Sequence, residues 1–80
     1  MPLSFQVMPN PASGEFFITT KDRNEKMIVV TNLLGEEVYA ETLAGTKLSI
    51  NITGQPKGIY LVQVKDTVTG KSGVKKIVLQ

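Results

Sequence analysis

Cysteine, histidine and tryptophan are all absent from this 80-residue sequence. Without cysteine and histidine, the chain has no disulfide, no thiol nucleophile, no imidazole base and none of the usual ligand sets for zinc. What remains for catalysis is seven carboxylates, hydroxyl groups, lysines and two tyrosines. None of these forms the paired nucleophile and acid or base that an active site requires. We therefore predict that the chain is not an enzyme and binds no cofactor.

Long apolar runs and a strong excess of one charge are also missing. No run approaches the ~18 residues of a membrane-spanning helix, and residues 1–4 lack the basic and apolar segments of a secretory signal. The net charge is +2, with acidic and basic residues mixed along the chain. We therefore predict no direct membrane insertion and no nucleic-acid binding. The length predicts one domain, residues 1–80, in which residues 1–4 are a linker or sequence added for expression. Any signal peptide then belongs to a larger precursor.

The local motifs that could carry chemistry are weak. Glu36 and Glu37 are adjacent, so on a strand their side chains point to opposite faces and cannot share a site. Asp22 and Glu25 flank a turn but lack the dense oxygen-ligand spacing of a calcium loop. Residues 70–72 resemble the end of a phosphate-binding loop, but the first glycine of that motif is missing and no helix follows. We therefore predict no metal site and no phosphate site.

The dominant pattern is an alternation of apolar and polar residues with period two, which is typical of half-buried strands. Residues 27–30 form a continuous apolar run that is rich in β-branched side chains. Such a run is typical of a strand that is buried on both faces or lies at the centre of a sheet. The best helical candidate is residues 32–41, but Gly35 and Val38 argue against a helix there.

Turn signals separate the alternating segments at the spacing that is typical of β-sandwiches. They lie at residues 9–14, 22–24, 34–35, 44–45, 54–58 and 69–73. About seven short strands in so short a chain must form two sheets that bury their inner faces against each other. We predict an all-β, immunoglobulin-like β-sandwich of about seven antiparallel strands. It lacks the cysteine pair and the core tryptophan of a true immunoglobulin domain.

A basic cluster near the end of the sequence consists of Lys71, Lys75 and Lys76. Binding to nucleic acid would require aromatic platforms among these lysines, whereas the few aromatic residues lie mostly at positions that alternation assigns to the core. We interpret the cluster as lysines that protect an edge strand. A contact with a partner is the alternative.

Four segments carry recognisable motifs in a fixed order. Residues 8–16, MPNPASGEF, contain Pro-Asn-Pro-x-x-Gly, and residues 28–38 contain an apolar strand followed by Leu-Gly-x-x-Val. Residues 56–64, PKGIYLVQV, contain a Pro-x-Gly turn and a Gly-x-Tyr-x-Val strand, and residues 75–80 form a basic-then-apolar ending. Together these segments resemble a known family, the type A C-terminal sorting domains of the type IX (Por) secretion system of Bacteroidetes. The sequence departs from the family at Thr31, usually aromatic, and at Gln80, often basic.

Each motif also has a physical reason. Pro9 and Pro11 fix φ and favour an extended lead-in, and Gly14 supplies a positive φ for the turn. Gly35 and Gly58 serve later turns in the same way. Tyr60 lies at the start of a strand, where its ring can be buried and its hydroxyl can cap a nearby backbone group, as in a tyrosine corner.

The resemblance implies a signal that directs a cargo protein across the outer membrane of a Gram-negative bacterium. The cargo passes through the periplasm and then reaches the cell surface or is secreted. Its implied partners are the translocon, an outer-membrane shuttle protein and a surface sortase that cleaves the domain off. We hypothesise that residues 74–80 are the principal recognition element and that the turn at residues 9–14 is the second. The candidate partner-recognition residues are Pro9, Asn10, Pro11, Gly14, Gly35, Gly58, Tyr60, Lys75, Lys76, Ile77, Val78 and Leu79.

The alternative function is a non-catalytic β-sandwich module that binds a ligand or acts as a spacer in a secreted enzyme. The absence of tryptophan argues against glycan binding. Exposed strand edges would also allow the isolated domain to dimerise.

Overall fold

A computed structural model describes residues 3–80, which form seven antiparallel strands and no helix. The strands are β1 (Phe5–Met8), β2 (Glu15–Thr20), β3 (Lys26–Asn32), β4 (Glu37–Leu43), β5 (Lys47–Asn51), β6 (Gly58–Asp66) and β7 (Ser72–Leu79). The strands coincide with the alternating segments and with the apolar run of residues 27–30, and the turn signals separate them, although Gly58 already belongs to β6 and residues 72–73 to β7. Residues 32–41 contain the end of β3, a turn and most of β4, so the argument against a helix there is confirmed.

The strands form a three-stranded sheet in the order β1-β2-β5 and a four-stranded sheet in the order β4-β3-β6-β7. The chain crosses between the sheets after β2, β4 and β5, which is the connectivity of an immunoglobulin-like sandwich whose fourth strand joins the third. The prediction of an all-β sandwich is confirmed. In the described part of the chain no helix is long and apolar enough to cross a membrane.

The core lies between the two sheets and is made of the inward side chains of nearly every strand. In the four-stranded sheet, Ile28 pairs with Val64 and Val30 with Val62, and all four are fully buried. Each such side chain stabilises the fold by about 1.5–3 kcal/mol relative to exposure. The buried apolar residues are Phe5, Ala12, Phe16, Ile18, Ile28, Val30, Leu43, Ile50, Ile52, Tyr60, Val62, Val64, Ile77 and Leu79.

The apolar run in β3 is only partly as expected. Its central position is confirmed, because β3 lies between β4 and β6. Burial on both faces is wrong: Ile28 and Val30 face the core, whereas Met27 is 51% exposed and Val29 is half-buried. The outer face of this sheet therefore presents apolar side chains of β3 to solvent.

A buried polar cluster, which the sequence analysis did not predict, closes one end of the sandwich. Lys26 is fully buried, and its ammonium donates to Asp22 Oδ1 at 2.6 Å and to the Asn24 carbonyl at 2.7 Å. The carboxylate of Asp66, 1% exposed, accepts from the backbone N–H groups of Val68 at 2.8 Å and Thr69 at 3.0 Å. Because Lys26 alternates with Ile28, its inward position follows from the period-two pattern.

These contacts lower the pKa values of two carboxyl groups. The hydrogen bond from Lys26 holds the pKa of Asp22 below its ordinary value. The backbone N–H of Thr69, followed by the amide of Asn24, holds the pKa of Asp66 below its ordinary value against the opposing effect of burial. Within residues 3–80 no group of three or more acidic side chains gathers in the way a metal ion requires.

The start of the described chain already contacts the fold. Leu3 donates its N–H to the Ser72 carbonyl at 3.0 Å and packs against the core. The assignment of residues 1–4 to a linker or added sequence stays a prediction, and Met1 and Pro2 lie outside the described residues.

Candidate functional site

The Pro-Asn-Pro turn, residues 9–14, lies along the outer edge of β7. The Ala12 N–H donates to the Val78 carbonyl at 2.8 Å, and the Gln80 N–H donates to the Ala12 carbonyl at 2.8 Å. These bonds form a parallel bridge between Ala12 and Leu79. The structure thus brings together the two segments that the sequence analysis ranked first and second for recognition.

We call the hydrogen-bonded contact between residues 9–14 and the end of β7 the seam. The side chain of Asn10 extends it. The Val78 N–H donates to Asn10 Oδ1 at 3.0 Å, and Asn10 Nδ2 donates to the Lys76 carbonyl at 3.2 Å. A side-chain amide carries one acceptor and donors, so it pairs with a strand edge as a peptide group does. The flanking prolines have no N–H to offer. Asparagine is therefore the residue type that this position needs. The peptide bonds before Pro9 and Pro11 are both cis.

The outer edge of β7 is consequently much less open than the sequence suggested. Leu3 covers it at Ser72, and the seam covers it from the Lys76 carbonyl to the Gln80 N–H. Among residues 3–80, no backbone hydrogen bond from outside the four-stranded sheet reaches Val74. The accessible edge expected along residues 74–80 is thus restricted to the surroundings of Val74.

The last residues of β7 divide into two groups. Ile77 and Leu79 are 0% and 4% exposed, so in the folded chain they are part of the core. Lys75 also lies on the core side of this edge strand, with its Nζ 5.7 Å from the ring centroid of Phe5. Lys76 and Val78 lie on the outer side. Lys75 and Lys76 are exposed and Val78 is half-buried, so these three are the candidates in β7 that a partner of the folded domain can contact directly.

Gly14 fixes the end of the Pro-Asn-Pro turn against the other sheet. Its φ is +121°, and a Cβ placed there would lie 2.5 Å from Thr53 Cγ2 and 2.8 Å from Thr53 Cα. The Ile52 N–H donates to the Gly14 carbonyl at 2.8 Å. Both the backbone conformation and this close approach therefore require glycine.

Tyr60 has the structural role that its position predicted. It is 4% exposed, and its hydroxyl donates to the carbonyl of Pro56, four residues upstream. This arrangement is a tyrosine corner at the start of the sixth strand. It ties the Pro56–Gly58 turn to the core, so the buried Tyr60 determines the shape of that turn.

The remaining motif turns lie at the same end of the sandwich. Gly58 pairs with Leu79, and Asn32, which precedes the Gly35 turn, pairs with Tyr60. A depression of about 440 Å³ separates the Gly35 turn from the Pro56–Gly58 turn. We call this end of the molecule the turn end. It comprises residues 9–14, the turn at residues 33–36, the turn at residues 56–58, and Val78–Gln80.

The turn end also exposes apolar residues that the sequence analysis did not single out. Leu33 and Leu34, at the tip of the Gly35 turn, are 66% and 85% exposed. Ile59 lines the same depression. The sequence did contain a signal for this exposure: two adjacent leucines next to the glycine of a turn lie at a turn tip, where no core is available to bury them.

Two comparisons with known proteins bear on this arrangement. A family model described as the secretion system C-terminal sorting domain matches residues 6–80. An endo-acting ulvan lyase of Formosa agariphila is 35% identical to the chain over 74 residues, which cover 91% of this chain. The chain spans 14% of the length of that relative.

Proposed function

The chain belongs to the secretion system C-terminal sorting domain family, and from that membership we propose how its fold serves as a type IX secretion signal. As a member of the family it is a sorting domain that directs its cargo to the cell surface or to secretion. In our proposal the cargo first enters the periplasm by its own N-terminal signal. The outer-membrane translocon and a shuttle protein then bind the folded domain, and a surface sortase removes it after export. The domain is thus a ligand and a substrate of this machinery.

The turn end is the surface that we propose is read. The observation that supports this is the position of the Pro-Asn-Pro turn, which is hydrogen-bonded along β7 and lies beside the two other motif turns. Fold stability alone would be served by turns at either end of a sandwich. Their grouping allows one partner to contact all of them together with the end of β7.

Recognition in this proposal depends on side chains and turn shape. Addition of a partner strand to a sheet edge needs a row of free backbone groups. Since the seam occupies the backbone of β7 from Lys76 onward, a partner strand would first have to displace Asn10 and Ala12. Lys76 and Val78 are presented outward without any such step.

A reporter fusion tests the sorting role. The chain is fused to the C-terminus of a fluorescent reporter that carries a periplasmic signal, in hosts with and without the type IX translocon. We expect the reporter at the surface or in the medium only when the translocon is present. Retention in the periplasm of both hosts contradicts the proposal and favours the alternative, a binding or spacer module. The mass of the exported reporter, in hosts with and without the sortase, shows whether the chain is removed.

Substitutions within this fusion test the part of β7 that adjoins the turn end. Deletion of residues 76–80 would remove Ile77 and Leu79 from the core, so a loss of export could reflect unfolding. Lys76→Ala avoids this difficulty because the side chain is exposed. We expect export to fall about fivefold, the factor that ~1 kcal/mol of contact energy represents. Lys21→Ala, an exposed lysine at the opposite end, is the matched control. Equal export of both variants rules out a role for Lys76.

A further inference from the structure

The outer faces of the two sheets differ in a way that the fold does not require. The three-stranded sheet presents mainly polar side chains to solvent. Its two large apolar residues there are Met8, 44% exposed on the edge strand, and Phe17, which is half-buried with the Lys47 ammonium 4.3 Å from its ring centroid. A sheet with one solvated face normally alternates in this way. The outward residues of the polar face are Gln6, Met8, Glu15, Phe17, Thr19, Lys47, Ser49 and Asn51.

The four-stranded sheet breaks this pattern. Val29, Gln63 and Val74 lie side by side across β3, β6 and β7, and Val74 is 58% exposed. The neighbouring rows add further apolar side chains to the same side of the sheet. We call this surface the apolar face. Its apolar residues are Met27, Val29, Ile59, Leu61, Val74 and Val78.

The apolar face has a concave centre. A depression of about 270 Å³ lies between β3 and β7, and its lining includes Met27, Val29, Gln63, Lys65 and Val74. A depression that becomes desolvated when a partner covers it is the kind of place where the anchor side chains of protein interfaces bind. Gln63 adds a hydrogen-bonding amide to the floor, and Lys65 places an ammonium at the rim.

Around the depression the charge has one sign, and the outward carboxylate of β4, Glu37, lies opposite Thr31 at the far margin of the sheet. Strands β3, β6 and β7 contain one carboxylate, Asp66, and that carboxylate is buried. Lys65 and Lys76 are exposed on the outer side. The occupant that complements this surface is apolar with carboxylates at its margin. A second copy of the chain, packed face to face, would oppose lysine with lysine.

The size of the face indicates the strength of the contact. Three strands about 4.8 Å apart and about 20 Å long present roughly 300 Å². This is the range of functional patches on monomers, and it is below the ~800 Å² per partner of a stable complex. A transient contact matches a domain that its machinery must release.

We infer that the apolar face is a second docking surface, which binds a protein of the export pathway through an apolar anchor in the depression and a carboxylate against Lys65. A protein fits better than a lipid surface, because the face has no tryptophan or tyrosine for the membrane interface and a glutamine at its centre. The inference rests on the proposed sorting function. It adds a contact that is centred on the depression between Val29 and Val74 and meets the turn end at Ile59 and Val78.

The reporter fusion described above tests the inference with variants on this face. Val29→Thr/Val74→Thr keeps β-branched side chains but adds hydroxyl groups, and Lys65→Glu reverses the rim charge. The matched controls are Val68→Thr, at a residue 69% exposed in the turn after β6, and Lys21→Glu, at an exposed lysine outside both surfaces. Circular dichroism of each variant chain gives its thermal midpoint. The single Val74→Thr replaces the double variant if that variant is unfolded.

We expect both face variants to keep the parental midpoint and to lose about fivefold in export, the factor for ~1 kcal/mol of interface energy. Lys65→Arg, which keeps the charge, and both controls should match the parent. If the parent is exported and the folded face variants are exported equally well, the inference is overturned and the sorting function stands. A parent that is not exported overturns both. Lys65-dependent flotation with phosphatidylglycerol vesicles, or a dimer lost in Val74→Thr, overturns the choice of a protein partner.

Discussion

The seam between the Pro-Asn-Pro turn and β7 gives a prediction whose size follows from its geometry. Asn10→Ala removes the bond from the Val78 N–H at 3.0 Å and the bond to the Lys76 carbonyl at 3.2 Å. A hydrogen bond contributes about 0.5–1.5 kcal/mol net, so the two together contribute roughly 1–3 kcal/mol. The exposure of Asn10 places the expected loss near the lower end. For a domain of this size about 1 kcal/mol lowers the thermal midpoint by roughly 4–8 °C.

Amide hydrogen exchange at Val78 tests the geometry directly. The Val78 N–H loses its acceptor in Asn10→Ala, so we expect it to exchange faster than in the parent chain. Asn10→Asp is the matched variant, since its carboxylate still accepts from Val78 but no longer donates to Lys76. We therefore expect protection at Val78 to survive in Asn10→Asp while the midpoint falls, because the carboxylate then opposes the Lys76 carbonyl.

The two readouts separate the seam from a general effect on the fold. The amide of Val62, in the centre of the sheet, should keep its protection relative to the global stability in every variant. Unchanged exchange at Val78 in Asn10→Ala would refute the assignment of Asn10 as its acceptor. An unchanged midpoint together with faster exchange would show that the bond forms without contributing to stability.

Other predictions concern the fold around the turn end and the polar cluster. Gly14→Ala should lower the free energy of unfolding by roughly 2–5 kcal/mol through backbone strain and contact with Thr53. Gly54→Ala, with open space around it, is the control and should stay within about 1 kcal/mol of the parent. Urea denaturation measures both variants, and equal losses would contradict the close approach of Gly14 to Thr53. Tyr60→Phe leaves the Pro56 carbonyl without its donor and should cost about 1–3 kcal/mol in the same assay. Because the pKa of Asp66 is lower in the folded chain than its ordinary value of 3.8, the ionised carboxylate stabilises the fold at pH values above about 4. This contribution should be lost as the pH falls further and the carboxylate is protonated. Thermal midpoints from pH 7 to pH 2 check this, and Asp66→Asn should flatten the acid limb.

The strands and turns could be predicted from the sequence because both are local features. Period-two alternation is set by the pleat of a strand, and residues such as Gly58 carry their own backbone preference. The role of Tyr60 followed from its place beside a Pro-x-Gly turn. The two-sheet architecture followed from the number of strands.

The features that were missed depend on the tertiary arrangement. Hydrophobicity showed that β3 is apolar on both sides but could not show which side another sheet covers, so burial on both faces stayed open as an alternative to a central position. Nothing local to residues 74–80 indicates that Asn10 pairs with them. The grouping of the motif turns at one end likewise appears only after the strands are placed. Lys26 is the exception, since its alternation with Ile28 was visible in the sequence.

The length of chain between the partners of the seam determines when a receptor can first bind the turn end. Asn10 is 66 and 68 residues from the two groups that it binds. Contacts of such separation require closure of nearly the whole chain as a loop, and they form after local turns. An unfolded chain displays each motif as a short peptide, but it does not display their joint surface. A receptor that binds the turn end therefore selects domains that have completed folding as well as domains that carry the sorting motifs.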